Sequence, residues 1–315
     1  MTDDGSEPSA EARTAASGGG SDPVGAESQD QPPHNRANRT ARFAWGAVVV
    51  ILVGVIALIV YALTGPPASP GVVQRVPTSG AVISALNQVP AAVFDSVGVT
   101  ATLPLAVPTV VTRQPPLESA GKPEVLFVGA DFCPFCAAER WPLIVALSRF
   151  GHFTTLHNVQ SSQLSVFPGI QTFSFVGMSY SSKYVAFTGV ELYSNSVDSN
   201  GAFTQIATLT PAQSALVDRY GTGARQGART GTFPFVDIDN VMVTSTSGFS
   251  PGVLEGHTQS AIAGDLTQPQ NPVGQVIVAS ANYLTAGICR TTDQQPASVC
   301  ATDGARSAEH ALGLG

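Results

Sequence analysis

The sequence predicts an α/β domain carried outside a membrane by one N-terminal helix. Three observations carry that expectation: a long uncharged apolar run near the N-terminus, a strand followed at once by a C-x-x-C motif and a helix, and further strand-like and helical segments downstream. The 315 residues hold 22 acidic against 15 basic side chains, and the resulting charge of -7 argues against nucleic acid as a partner. With 43% hydrophobic and only 12% charged residues, the chain is too apolar to be largely disordered. Its mean hydropathy of +0.18 is also high for an ordinary soluble protein.

The excess is concentrated between Phe43 and Leu63, FAWGAVVVILVGVIALIVYAL. At about 1.5 Å per residue, a helix of that length spans roughly 30 Å of hydrocarbon. A buried core helix seldom sustains such a run. A cleavable signal peptide has an apolar stretch of about 7 to 15 residues close to the N-terminus, whereas this one follows residues 1–42. It reads as a retained signal anchor, with Trp45 and Tyr61 at the two interfaces. Arg36, Arg39 and Arg42 flank its N-terminal end, and the next basic residue is Arg75, so the positive-inside rule puts the N-terminus in the cytoplasm and residues 64–315 outside. Residues 1–42, rich in Gly, Ser, Ala, Asp, Glu and Pro, read as a disordered tail whose arginines suit anionic lipid.

Residues 64–121 read as a Pro-rich stalk with a short docking helix, in which Val82, Ala85, Leu86, Val89, Val93, Phe94 and Val97 recur at helical spacing and Pro90 makes a break. The folded domain is expected over 122–305, with 306–315 as a flexible C-terminus. Its first strand, Glu124 to Ala130, is apolar enough to be buried on both faces. Asp131-Phe132-Cys133-Pro134-Phe135-Cys136 then opens a helix whose stripe of Trp141, Ile144, Val145 and Leu147 ends at Gly151.

That order has a chemical consequence. A thiol at a helix N-terminus faces unsatisfied backbone N–H groups and the positive end of the macrodipole, which favour the thiolate. Cys133 is the expected nucleophile, and Cys136, one turn further in, is the thiol that resolves a mixed disulfide. Pro134 suits the first helical turn, and Phe135 adds no charge. A structural bridge, an inert buried pair and a zinc site compete with this reading. Zinc needs two further ligands, and neither Cys289 and Cys300 nor His152, His157, His257 and His310 have a spacing that marks them. No metal and no cofactor are expected. Redox chemistry is favoured because strand, C-x-x-C and helix in an oxidising compartment form a specific context.

Further on, QTFSFVGM (171–178) and YVAFTGVELY (184–193) read as strands, and Thr210-Pro211 starts a helix that runs to Tyr220. GTFPFVDI (231–238) reads as a strand opened by Pro234, with Val241 to Thr244 as its hairpin partner. HTQSAIAGDL and NPVGQVIVASANYLTAGIC read as helices. Cys289 and Cys300 are expected to form a structural disulfide contributing about 2–3 kcal/mol; a second shuttle pair across the exposed TTDQQPAS is the alternative.

The segments GKPEVLFVGADFCPFCAAERWPLIVALSRFG, QTFSFVGMSYSSKYVAFTGVELY, TFPFVDIDN and ANYLTAGIC resemble the domain-of-unknown-function 929 family over roughly residues 78 to 302. That family is similar to thioredoxin-like proteins in its C-x-x-C helix. The resemblance implies a thioredoxin-like domain with an insertion between the C-x-x-C helix and a cis-proline strand, with Pro234 cis beside the thiols and the Phe233 backbone free to meet an extended client. Two departures follow from the same comparison. Thioredoxin and the periplasmic disulfide oxidases place a buried acid six residues before the nucleophilic cysteine; Phe127 stands there, so Asp131 or Glu139 is expected to serve Cys136 instead. The long interval from Cys133 to Pro234 requires the insertion. The expected function is that of a membrane-tethered, extracytoplasmic thiol-disulfide oxidoreductase. Its partners would be thiol- or disulfide-containing client proteins, a membrane redox partner and the lipid around one helix. The alternative is a non-catalytic binding module with a locked C-x-x-C bridge.

Overall fold

The computed structural model describes residues 53–55, 75–100, 102–221 and 233–315. The chain divides into two units, Met1–Ser69 and Pro70–Gly315. In the first, Val53, Gly54 and Val55 are helical. The remainder of the spanning helix expected over 43–63, and the tail expected over 1–42, lie outside the described residues. Among the described residues, no helix is long and apolar enough to cross a membrane.

The second unit is mixed α/β. It opens with β1 (Val76–Pro77), α1 (Gly80–Asn87), α2 (Ala91–Val97), β2 (Thr109–Val110) and β3 (Glu118–Ser119), which lead to β4 (Lys122–Gly129) and α3 (Pro134–Ser148). A long hairpin of β5 (Gly151–Gln160) and β6 (Gln171–Ser182) precedes β7 (Ala186–Glu191), the small pair β8 (Tyr193–Val197) and β9 (Phe203–Gln205), and α4 (Pro211–Tyr220). Then come β10 (Phe235–Ile238), β11 (Met242–Thr244), α5 (Gln259–Asp265), α6 (Pro272–Thr291), α7 (Ala297–Cys300) and α8 (Asp303–Leu312).

Strand β4 is central. It pairs in parallel with β7 on one side and antiparallel with β10 on the other, and β11 and β2 continue the sheet beyond β10. Because successive side chains of a strand point to opposite faces, Val125 and Phe127 enter the main core with Ile144 and Leu147 of α3 and Ile277 and Leu284 of α6. Leu126 and Val128 fall on the other face, against Leu216, Val217 and Tyr220 of α4. The sheet is thus covered by helices on both faces, as the continuous apolar run of β4 predicts. Helix α4 starts where expected: Thr210 and Gln213 form a reciprocal capping box ahead of Pro211.

The stalk expected over 64–121 is, from Arg75 onward, part of the domain. Val82, Leu86, Val93, Phe94 and Val97 lie in the main core. Asn87 pairs with the backbone of Phe153 as a strand would, donating to its carbonyl at 2.9 Å and accepting its N–H at 3.0 Å. Pro90, which the spacing marks as a break, is the N-cap of α2. The C-terminus expected to be flexible over 306–315 is instead largely α8, which packs Ala308 against Tyr283 and Ala286 of α6. Cys289 and Cys300 are bonded, joining the end of α6 to α7.

Candidate functional site

Cys133 is the N-cap of α3. Its extended backbone (φ -78°, ψ 123°) lets the chain leave β4 and turn directly into the helix, with Pro134 at the first helical position. The Cys133 Sγ accepts the Cys136 N–H at 3.1 Å, and the thiol faces the Phe233 carbonyl at 4.0 Å. The Phe233–Pro234 peptide is cis. The fold therefore brings the motif and the Phe233-Pro234 turn together, although a hundred residues separate them in the chain. Both thiols are free.

The two sulfurs sit in opposed environments. Burial pushes the Cys133 thiol up, but hydrogen bonds from the Cys136 side chain and backbone, the Arg140 charge and the Phe135 backbone together outweigh it, so Cys133 lies below the ordinary thiol range. For Cys136, burial, the hydrogen bond with Cys133 and repulsion from a Cys133 thiolate all push the same way, well above that range. Cys136 is fully enclosed, and a Cβ built on Gly129 would meet the Phe127 ring at 2.5 Å and the Cys136 sulfur at 3.2 Å, so this glycine leaves room chiefly for the ring and also for the thiol. Cys133 keeps 5% of its surface.

Around Cys133 the rim is aromatic. Phe132 stacks on Phe203 of β9 at 3.9 Å and meets Phe233 edge-on at 5.8 Å, while Tyr193 lies at 6.1 Å. Phe135 stays exposed and contacts Phe167 edge-on. Phe167, Tyr193 and Phe203 all come from the chain between α3 and β10, so that intervening segment shapes the surface around Cys133.

Beneath the motif lies a charged layer. Arg140 is fully buried and pairs with Glu191 of β7 through two bonds, Nε to Oε1 at 3.0 Å and Nη2 to Oε2 at 2.6 Å. Its Nη2 also donates to the Ala130 carbonyl at 2.9 Å. Asp131 is buried and pairs with Arg75 at 2.9 Å. Of the two acids expected to serve Cys136, Asp131 acts electrostatically on Arg140 and Glu191. Glu139 is turned elsewhere: its Oε2 accepts the Gly248 N–H at 2.7 Å, in a region bordered by Ser280 and Tyr283 of α6.

Burial pushes the Glu139 carboxyl up to about 8 against the lowering bond from Gly248. An acid raised on folding contributes stability that is full below its unfolded value near 4.5 and is lost as pH rises through about 8. Between those limits the folded form holds a proton that the unfolded form has released, so stability should fall by about 1.4 kcal/mol per pH unit from this group. Glu139→Gln keeps an acceptor for Gly248 and should flatten that slope; urea unfolding across the same pH range checks it.

No motif in the sequence marks Arg140 or Glu191, and Arg75 stands out there only as the first basic residue after the apolar run. The signal was nevertheless present. Glu139 and Arg140 are the charged residues of an otherwise uncharged helix that is buried along almost its whole length, and buried charges require partners. Among the described residues, no group of three or more His, Cys, Asp or Glu side chains gathers as a metal site.

No curated protein and no solved structure matches the chain. A family model does match, described as Domain of unknown function (DUF929), over residues 109–290. The matched stretch takes in β2 through most of α6, and so contains both thiols, the buried ion pair and the cis-proline turn. Matched over more than half its length, the chain belongs to the domain-of-unknown-function 929 family.

Proposed function

We propose that this protein is a membrane-tethered, extracytoplasmic thiol-disulfide oxidoreductase of thioredoxin-like fold, acting on client proteins through Cys133 and Cys136. One observation carries the chemistry: two free thiols a helical turn apart, the outer one capping the helix in surroundings that lower its pKa, the inner one fully enclosed in surroundings that raise its pKa. Support for the fold comes from the order β11-β10-β4-β7, the helix that follows β4, and the Phe233 carbonyl facing Cys133 just ahead of β10. Support for tethering comes from the apolar run over 43–63 and the arginines before it.

In the forward reaction the Cys133 thiolate attacks one sulfur of a client disulfide. A bond forms between Cys133 and that sulfur, and the second client sulfur leaves as a thiolate that takes up a proton. Cys136, deprotonated, then attacks the Cys133 sulfur, closing the Cys133–Cys136 bond and releasing the first client sulfur. The client gains two electrons and the motif loses two. The same steps in reverse oxidise a client dithiol, and relative reduction potential sets the direction. The full chain incubated with a scrambled disulfide protein should catalyse exchange, and Cys133→Ser should abolish it. Exchange unchanged in Cys133→Ser would reject the assignment.

The small exposure of Cys133 favours a second reading, a recognition module whose thiols close into a permanent bridge. A redox titration separates the two, since a bridge of that kind should have a potential below about -300 mV.

A further inference from the structure

An enclosed Cys136 must lose its proton before it can attack, and the buried guanidinium of Arg140 is a positive charge that favours that loss. Arg140 follows Cys136 by four residues, one helical turn along α3. It is held in place from two directions. Glu191 grips it through two bonds, and the Ala130 carbonyl accepts its Nη2. That same carbonyl accepts the Cys133 N–H at 3.2 Å, so the guanidinium and the turn carrying the nucleophile share one anchor. Phe127 lies under the guanidinium, its ring centroid 5.4 Å away. The remaining nitrogen, Nη1, is buried with no hydrogen-bond partner among the described residues.

Building on the exchange reaction proposed above, we propose that Arg140 is the positioning residue of the resolving step, its guanidinium fixed by Glu191 and Ala130 so that it favours Cys136 as the attacking thiolate. The counter-charges explain why the guanidinium needs such a mount. Glu191 neutralises it when both cysteines are thiols, and Asp131, itself paired with Arg75, adds a second negative charge nearby. When Cys136 ionises, the layer gains one negative charge, and the positive group that opposes it is already in place. A buried charge fixed by its surroundings needs no reorganisation at the moment of reaction. The positioning role therefore belongs to the pair as a unit: Arg140 supplies the charge, and Glu191 sets how much of it reaches the sulfur.

The test uses the full chain and an aromatic disulfide, dithionitrobenzoate, as the probe. Attack by Cys133 releases one coloured thionitrobenzoate and leaves the other bonded to Cys133; attack by Cys136 then releases the second. The pH midpoint of that second release reads Cys136. Arg140→Met should raise the midpoint by at least one unit and slow the second release at least tenfold at neutral pH, with Arg140→Lys restoring part of the loss. Glu191→Gln leaves the guanidinium and removes its counter-charge, so it should move the midpoint in the opposite direction, which also covers the case in which Arg140→Met does not fold. Loss of thermal stability with the midpoint unmoved, or shifts of the same sign in both variants, would overturn the proposal. Failure of the unmodified chain to release even the first thionitrobenzoate would instead reject the exchange reaction itself.

Discussion

Cys136→Ala should convert a short-lived covalent complex into one that survives electrophoresis without reductant. In the unmodified protein, Cys136 stands one helical turn from Cys133, and its backbone N–H donates to the Cys133 sulfur at 3.1 Å. Resolution is then intramolecular and fast compared with attack by a free thiol. Removing the Cys136 thiol leaves Cys133 able to attack but leaves the mixed disulfide waiting for an external reductant. Expressed as the full chain, the variant should accumulate as a band of higher mass that collapses when reductant is added, and mass spectrometry of that band would identify what Cys133 holds. Cys133→Ala in the same background should remove the band. A band that persists in the double variant would place the reactive sulfur elsewhere.

Glu191→Ala should be the most destabilising single change in the motif's surroundings, costing about 3–5 kcal/mol. The pair is completely enclosed, so its removal leaves the Arg140 guanidinium with a single remaining bond, to the Ala130 carbonyl, and no water to replace the carboxylate. Because the loss comes from stranding a charge rather than from losing an attraction, the double variant Arg140→Met with Glu191→Leu should recover most of the stability while still lacking the guanidinium. Urea unfolding of the three proteins decides this. A cost under about 1 kcal/mol for Glu191→Ala would mean that water reaches the pair, in the manner of a surface ion pair.

The parts of the fold that could be read in the sequence are those where one physical signal dominates. EVLFVGA identifies a strand buried on both faces, and it is the centre of the sheet. Thr210-Pro211 marks a helix start, and NPVGQVIVASANYLTAGIC marks a long buried helix; both elements form, the second capped by Asn271 with Pro272 at its first turn. Strand β5 had no such signal. Its inward-facing apolar residues fall at Phe153 and Leu156, three apart rather than two, because the ladder with β6 shifts register between Phe153 and Thr155 and again between Thr155 and His157. A bulge inserts a residue and breaks the period on which a strand assignment rests. Segment 81–97 was legible as amphipathic but not as belonging to the domain, because spacing reveals an apolar face and says nothing of what covers it. The same limit applied to the site. The two thiols were visible from the motif alone, whereas Glu191 reaches Arg140 only through the parallel pairing of β4 with β7, which brings together positions 51 residues apart.

The most direct measurement is the rate at which iodoacetamide alkylates Cys133 in the unmodified full chain as a function of pH, with labelling at Cys133 and at Cys136 told apart by fragment mass spectrometry. The account predicts labelling without denaturant, with a midpoint below the value near 8.5 of an unperturbed thiol, and a rate at neutral pH above that of free cysteine. A midpoint at or above that value, or labelling that appears only once the chain is unfolded, would contradict it.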